Sequence, residues 1–202
     1  MSEETTNRIP GPGLGETIRG AVAAVESLSA LEGRFEDAVS AVVGALAGGN
    51  KVLTAGNGGS AAGAMHMAEE LSGRYSAERR ALPGMALCAD GTALTCIGND
   101  YGFDSVFSRQ VEAFCRPGDV LALFTTSGRS ANLVRAADAA RALGAKVIGF
   151  VGHGGGDLAA HCDILLDVAG AASPRVQECH EMLMHAILER VDAAFKAQGG
   201  AR

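Results

Sequence analysis

LTAGNGGSAAGAMHMAEELSGRY, residues 53–75, passes from an apolar run through a glycine-rich turn into a helix-forming stretch. KVLTA (51–55) predicts a short buried strand, and the residues after GNGGS predict a helix of about fifteen residues. A strand that turns through small residues into a helix gathers free backbone N–H groups at the positive end of the helix dipole. That suits a phosphate or a carboxylate. Glycine serves where a side chain would block the approach or where φ must be positive. A plain tight turn has the same composition, so the stretch alone leaves both readings open.

Outward from it the alternation continues. GMALCA (84–89), DVLALFT (119–125), AKVIGFV (145–151) and CDILLDV (162–168) predict four further strands. Between them lie a short helix at TALTCIGND, a helix over 104–115, the helix ANLVRAADAARALG, and a loop at GHGGGD. Residues 15–48 predict one long or two shorter helices, and 174–197 a terminal helix. Nearly all-apolar strands alternating with helices predict an α/β fold, a three-layer α/β/α sandwich around a five-stranded parallel sheet. Extra helices at the two ends are free for oligomer packing. The expected organisation is a flexible lead-in at 1–14 and one domain over 15–198, with ligands at the carboxyl ends of the strands.

The composition excludes several classes. With 202 residues, 48% of them hydrophobic and 20% charged, the chain has room for a core and is not disordered. Its longest apolar runs are too short to span a bilayer. The start MSEETTNRIPGPGLGE lacks the basic and apolar regions of a signal peptide. A net charge of −6 argues against a nucleic-acid surface, so a phosphate would have to be met locally, by backbone amides or a few arginines. Five cysteines without a CxxC spacing predict reduced thiols and a cytoplasmic setting. Without tryptophan and with few aromatics, a stacking platform for bases or sugars is disfavoured.

A second loop, FTTSGRSANL (124–133), sets Thr125, Thr126, Ser127 and Ser130 around Gly128 between a strand and a helix. Hydroxyl and amide donors there can converge on one phosphate, although Ser and Thr are also favoured simply as helix caps. Two such loops at strand ends of one sheet point to a phosphorylated ligand. Neither contains GK[ST], so a nucleoside triphosphate is not expected. Gly56, Gly58 and Ala61 also satisfy a loose dinucleotide fingerprint, with Asp90 placed as its ribose-binding acid. That reading leaves the next helix unexplained.

On that helix His66 and Glu70 are four residues apart and share a face, while Glu69 points about 100° away. The pair fits two metal ligands, a base with its partner, or a surface pair. The terminal helix carries RVQECHEMLMHAI, in which Gln177, Glu181 and His185 fall on one broad face with His180 on the flank. His180 and His185 point roughly 140° apart, so spacing alone does not choose between them.

Four separated motifs then combine: GNGGSAAGAMHMAEELSGRY, CIGNDYGFDSVFSRQVEA, GDVLALFTTSGRSANL and RVQECHEMLMHAI. Together they resemble the bacterial phosphoheptose isomerases of the sugar-isomerase (SIS) fold, in order from about residue 15 to 195. The resemblance implies a flavodoxin-like SIS domain and a cytoplasmic homotetramer with active sites between subunits. It implies one zinc ion per subunit, held by His66, Glu70, Gln177 and His185. It places substrate contacts at Asn57, Gly58, Gly59, Ser60, Glu70, Arg74, Asn99, Asp100, Thr125, Thr126, Ser127, Ser130 and Gln177.

The implied reaction is isomerisation of sedoheptulose 7-phosphate to D-glycero-D-manno-heptose 7-phosphate through an enediol, with Glu70 as carbon base and His185 as acid/base partner. It opens nucleotide-activated heptose biosynthesis. Thr125 stands where a serine is expected, Arg129 where an asparagine is usual, and Pro174 where some relatives place an aspartate. His153 and His161 are given no role. The rival readings are a non-catalytic SIS-domain protein that associates with the replication initiator, an isomerase of another phosphosugar, and a sugar-phosphate-sensing regulator. The first lacks the acid and histidine present here as Glu70 and His185. The last needs a DNA-binding domain for which this chain has no room.

Overall fold

Five apolar segments pair side by side, all parallel, in the order β2-β1-β3-β4-β5. They are β1 (Val52–Gly56), β2 (Gly84–Ala86), β3 (Val120–Thr125), β4 (Lys146–Gly152) and β5 (Ile164–Val168). The computed structural model describes residues 10–196. Most of the expected lead-in, and residues 197–198 of the expected domain, lie outside the described residues.

Alternation within each strand divides the apolar side chains between two cores. Val52, Val120, Ala122, Phe124, Ile148 and Phe150 face one side of the sheet, where α1 (Leu14–Ser27), α2 (Glu32–Ala47), α3 (Gly59–Ser72) and α7 (Ser173–Phe195) cover them. Leu53, Ala55, Leu121, Leu123, Val147 and Val151 face the other, under α5 (Ser108–Phe114) and α6 (Ala131–Ala142), with α4 (Gly91–Tyr101) at the margin. A strand buried on both faces must read as a continuous apolar run, which is why the central strands are plain in the sequence.

Three expectations are corrected. The strand expected over 84–89 ends at Ala86, because Leu87 and Cys88 turn into the core after the Leu87 N–H bonds to Thr54 O. The helix expected over 104–115 is a 3-10 turn at Phe103–Ser105 followed by the short α5. The loop at GHGGGD is wound into 3-10 turns across His153–His161, interrupted by positive φ at Gly154, Gly155 and Gly156. The five cysteines are unpaired. Burial pushes the thiols of Cys88, Cys115 and Cys179 up, and that of Cys162 up to about 12, whereas Cys96 is exposed. Among the described residues no helix is long and apolar enough to cross a membrane.

The foot of the sheet is fastened by Asp119, whose side chain is 1% exposed. It accepts the backbone N–H groups of Lys51 (3.0 Å) and Arg116 (2.7 Å) and the Asn50 amide (3.3 Å), and it pairs with the Lys51 ammonium. Burial alone would raise its pKa, but the Lys51 and Arg116 donors outweigh that and hold it below the usual carboxylate range. A depressed folded value stabilises the fold above the unfolded pKa, and that stabilisation is lost as pH falls through the folded value. Asp119→Ala is expected to cost about 1–3 kcal/mol at neutral pH. The gap from wild type should close below about pH 4, as followed by urea midpoints across pH.

Candidate active site

The sheet winds one way from β1 to β2 and the other way from β1 to β3, so the loops leaving β1 and β3 part at this switch point. These are the two small-residue loops. The first bends at Gly58 (φ +54°), a conformation that glycine adopts without strain. Gly56 is required for space instead, since a Cβ there would lie 2.5 Å from Ser60 O. Gly58 caps α3 without a side-chain bond, so no side chain occupies the first-turn donors of that helix. In the second loop Gly128 (φ +65°) crosses beneath Gly155, and its N–H is held by Thr125 Oγ1 at 3.1 Å. Ser130 opens α6 but makes no capping bond, which leaves its hydroxyl free for a ligand.

The two loops are tied to each other. Asn57 and Asn132 exchange side-chain amide hydrogen bonds, both 2.9 Å, across 75 residues of sequence. Asn132 is buried and was not among the sequence candidates.

Helix α7 runs beside α3, and glycines on α3 let its polar face come close. A Cβ at Gly59 would sit 2.6 Å from the Gln177 amide, and one at Gly63 2.7 Å from Glu181 Oε1. One turn further along, His66 is flanked by two carboxylates: Nδ1 is 2.9 Å from Glu181 Oε2 and Nε2 is 3.2 Å from Glu70 Oε1. Burial tends to lower the pKa of His66, but Glu181 and then Glu70 outweigh it and the pKa is raised. The His185 ring lies edge-on to His66 with centroids 5.1 Å apart, and the Tyr75 ring lies tilted against His185 with centroids 5.5 Å apart.

The two histidines of α7 are thus separated. His180 is buried, donates from Nε2 to Val151 O (3.1 Å) and meets the edges of Phe124 and Phe150. Burial lowers its pKa and keeps it neutral. His185 belongs to the α3 cluster. Donor atoms of His66, Glu181 and His185 lie within 4.8 Å of one another, as do those of His66, Glu69 and Glu70. This group could bind a metal ion.

The other sequence candidates are spread out. Gln177 sits by Gly59, next to the first loop. Asn99 and Asp100 are exposed at the end of α4 and bond within that helix. Arg74 is exposed and faces Glu78 at 3.6 Å. Asp90 caps α4, its Oδ1 accepting from Thr92 N and Ala93 N, which accounts for an acid at this position as a helix cap.

The SIS-domain family model matches residues 18–152. The chain is 51% identical over 158 residues to the phosphoheptose isomerase of Aliarcobacter butzleri, covering 78% of this chain and 84% of that protein. It is 49% identical over 166 residues to that of Campylobacter concisus, covering 82% and 88%. This chain belongs to the SIS-domain family, among the phosphoheptose isomerases. The solved phosphoheptose isomerase of Neisseria gonorrhoeae superposes on this SIS domain with a TM-score of 0.84 at 39% identity, over 89% of this chain and 97% of that one.

The far end of the site in this SIS domain rests on one buried ion pair. Arg79 Nε meets Asp192 Oδ1 at 2.7 Å, and the same guanidinium donates to Glu70 O (2.6 Å) and Leu71 O (3.0 Å). Asp192 Oδ2 accepts from Ser76 N and Ala77 N. The carbonyls at the end of α3, including that of Glu70, are therefore anchored to α7. Asp192→Ala leaves a buried guanidinium unpaired and is expected to cost about 3–5 kcal/mol, read as a lower urea midpoint, with faster proteolysis across residues 73–80.

Proposed function

We propose that the chain isomerises sedoheptulose 7-phosphate to D-glycero-D-manno-heptose 7-phosphate, the entry to nucleotide-activated heptose. The observation that carries the reading lies on α3: its first turn faces the loops suited to a phosphate, and its later turns carry His66 and Glu70 opposite His185. A ligand held by its phosphate at one end is thereby offered to a carboxylate and imidazoles at the other.

The amides of Gly58 and Gly59, with the hydroxyls of Ser60, Thr126, Ser127 and Ser130, hold and orient the phosphate end. Glu70 removes the proton from the carbon beside the carbonyl and returns it to the neighbouring carbon. His185 moves the second proton between the two oxygens. The imidazole and carboxylate donors around His66 fit zinc in type, and His66, Glu70, Gln177 and His185 would hold it. Zinc bound there would supply Lewis-acid polarisation of the carbonyl. Asn57, Arg74, Asn99 and Asp100 complete the proposed substrate contacts. Unpaired thiols support a cytoplasmic setting.

A homotetramer with sites between subunits is supported by an apolar stripe on α1, where Leu14, Ile18 and Val22 are at least half exposed at one-turn spacing. Beside it lies a groove of Val25, Leu28, Phe35, Met182 and Leu183.

Purified protein is expected to turn over sedoheptulose 7-phosphate, to lose turnover on chelation and to regain it with zinc. Glu70→Gln should lower kcat by about two to four orders of magnitude. An unaltered kcat in Glu70→Gln would remove the base assignment. Ile18→Asp with Val22→Asp is expected to give smaller particles by light scattering than wild type. Particles of unchanged mass would place the subunit contacts elsewhere.

A further inference from the structure

Glu181 has no part in the catalytic scheme above, yet the structure makes room for it. It lies one turn from Gln177 and one from His185 on α7, half-buried against α3, and Gly63 leaves the space that its Oε1 fills. Its other oxygen reaches His66 Nδ1 at 2.9 Å, closer than Glu70 comes to Nε2 at 3.2 Å. An ionised carboxylate only accepts hydrogen bonds, so each contact calls for a ring hydrogen, and the shorter one, to Glu181, claims the single hydrogen of the neutral ring for Nδ1. The two nitrogens of an imidazole diverge and cannot serve one ion. Glu181 and His185 also bring donor atoms within 4.8 Å of those of His66, but an ion on Nδ1 would break the Glu181 bond and leave Glu70 on the far edge of the ring. An ion on Nε2 keeps that bond and has Glu70 beside it.

We propose that Glu181 is a positioning residue for the metal site: it holds His66 through Nδ1–H, fixing the ring and presenting Nε2 towards Glu70. It acts through His66 and touches neither metal nor substrate. A carboxylate behind a ligating histidine fixes the tautomer and raises the basicity of the ligand, and losing it weakens metal affinity about 10–100-fold. This inference rests on the zinc reading of the site, but its first readout does not need zinc.

The test compares full-length wild type with Glu181→Leu, which keeps the bulk and removes the acceptor, and with Glu181→Gln, whose amide oxygen still accepts. Nitrogen-15 ring spectra of metal-free, histidine-labelled protein at alkaline pH should show His66 as the Nδ1–H form in wild type. In Glu181→Leu, Glu70 is left as the ring's carboxylate partner, and the Nε2–H form should take over. Zinc affinity, measured against a competing chelator, should fall about 10–100-fold in that variant with one zinc per subunit retained, and Glu181→Gln should recover part of both effects. An unchanged tautomer in Glu181→Leu overturns the proposal, as does an affinity within twofold of wild type. Loss of zinc stoichiometry in both variants overturns it too, since Glu181 would then be a ligand itself. Should Glu181→Leu not fold, Glu181→Ala carries the same ring readout. A wild type that binds no zinc would refute the zinc reading, while the ring spectra would still decide the role of Glu181.

Discussion

The constraint on which the rest depends is the reversal of winding between β1 and β3. Parallel strands joined by helices send consecutive loops to alternate sides of the sheet only where the order turns, and here it turns at the two central, fully buried strands. The two loops therefore leave neighbouring backbones and need little added structure to face a common ligand. The reciprocal Asn57–Asn132 amides supply what is needed, since each satisfies the other without bringing in charge. In a protein of net charge −6, an anion is best met by fixed dipoles at this one point, and the loops are built almost wholly from such dipoles.

The side proposed for catalysis is organised by a second economy. Both His66 and Glu70 sit on the helix whose first turn faces the loops, so the geometry between binding and chemistry is that of one helix. What α3 cannot provide comes from α7: His185, Glu181 and, through Arg79, the anchoring Asp192. Every one of these contacts crosses more than a hundred residues of sequence, and they converge because both helices lie on the same face of the sheet.

How much of this could be read from the sequence follows from the range of the forces involved. The strands were legible because burial on both faces writes a local, unbroken apolar run. β2 was read too long because Leu87 and Cys88 are just as apolar but turn into the core after a last bond from Leu87 N–H to Thr54 O. GHGGGD (152–157), where the turns of His153–His161 begin, was read as loop because glycines at positive φ break any periodic signal. His66 and Glu70 were visible as an i,i+4 pair, and Gln177, Glu181 and His185 as one helix face. The division between His180 and His185 was not visible in their spacing, since it depends on Phe124, Phe150 and the Val151 carbonyl arriving from the sheet. Asn132 and the Arg79–Asp192 pair had no local signature, for their partners lie 75 and 113 residues away.

The glycines that admit α7 also bear on when the site can come into being. Gly63, inside α3, costs it about 1 kcal/mol of intrinsic helix stability relative to alanine, and Gly59 opens it without a side chain. A 14-residue helix so weakened does not hold itself in water. Its register is secured from outside, and the securing partner is α7, the last in order among the described elements. During synthesis β1, α3 and both loops emerge well before α7. The residues proposed for chemistry are thus present early but stay loosely held until α7 has been made and has docked. Assembly of the proposed site is in this sense a late step of folding, set by the docking of α7 on α3.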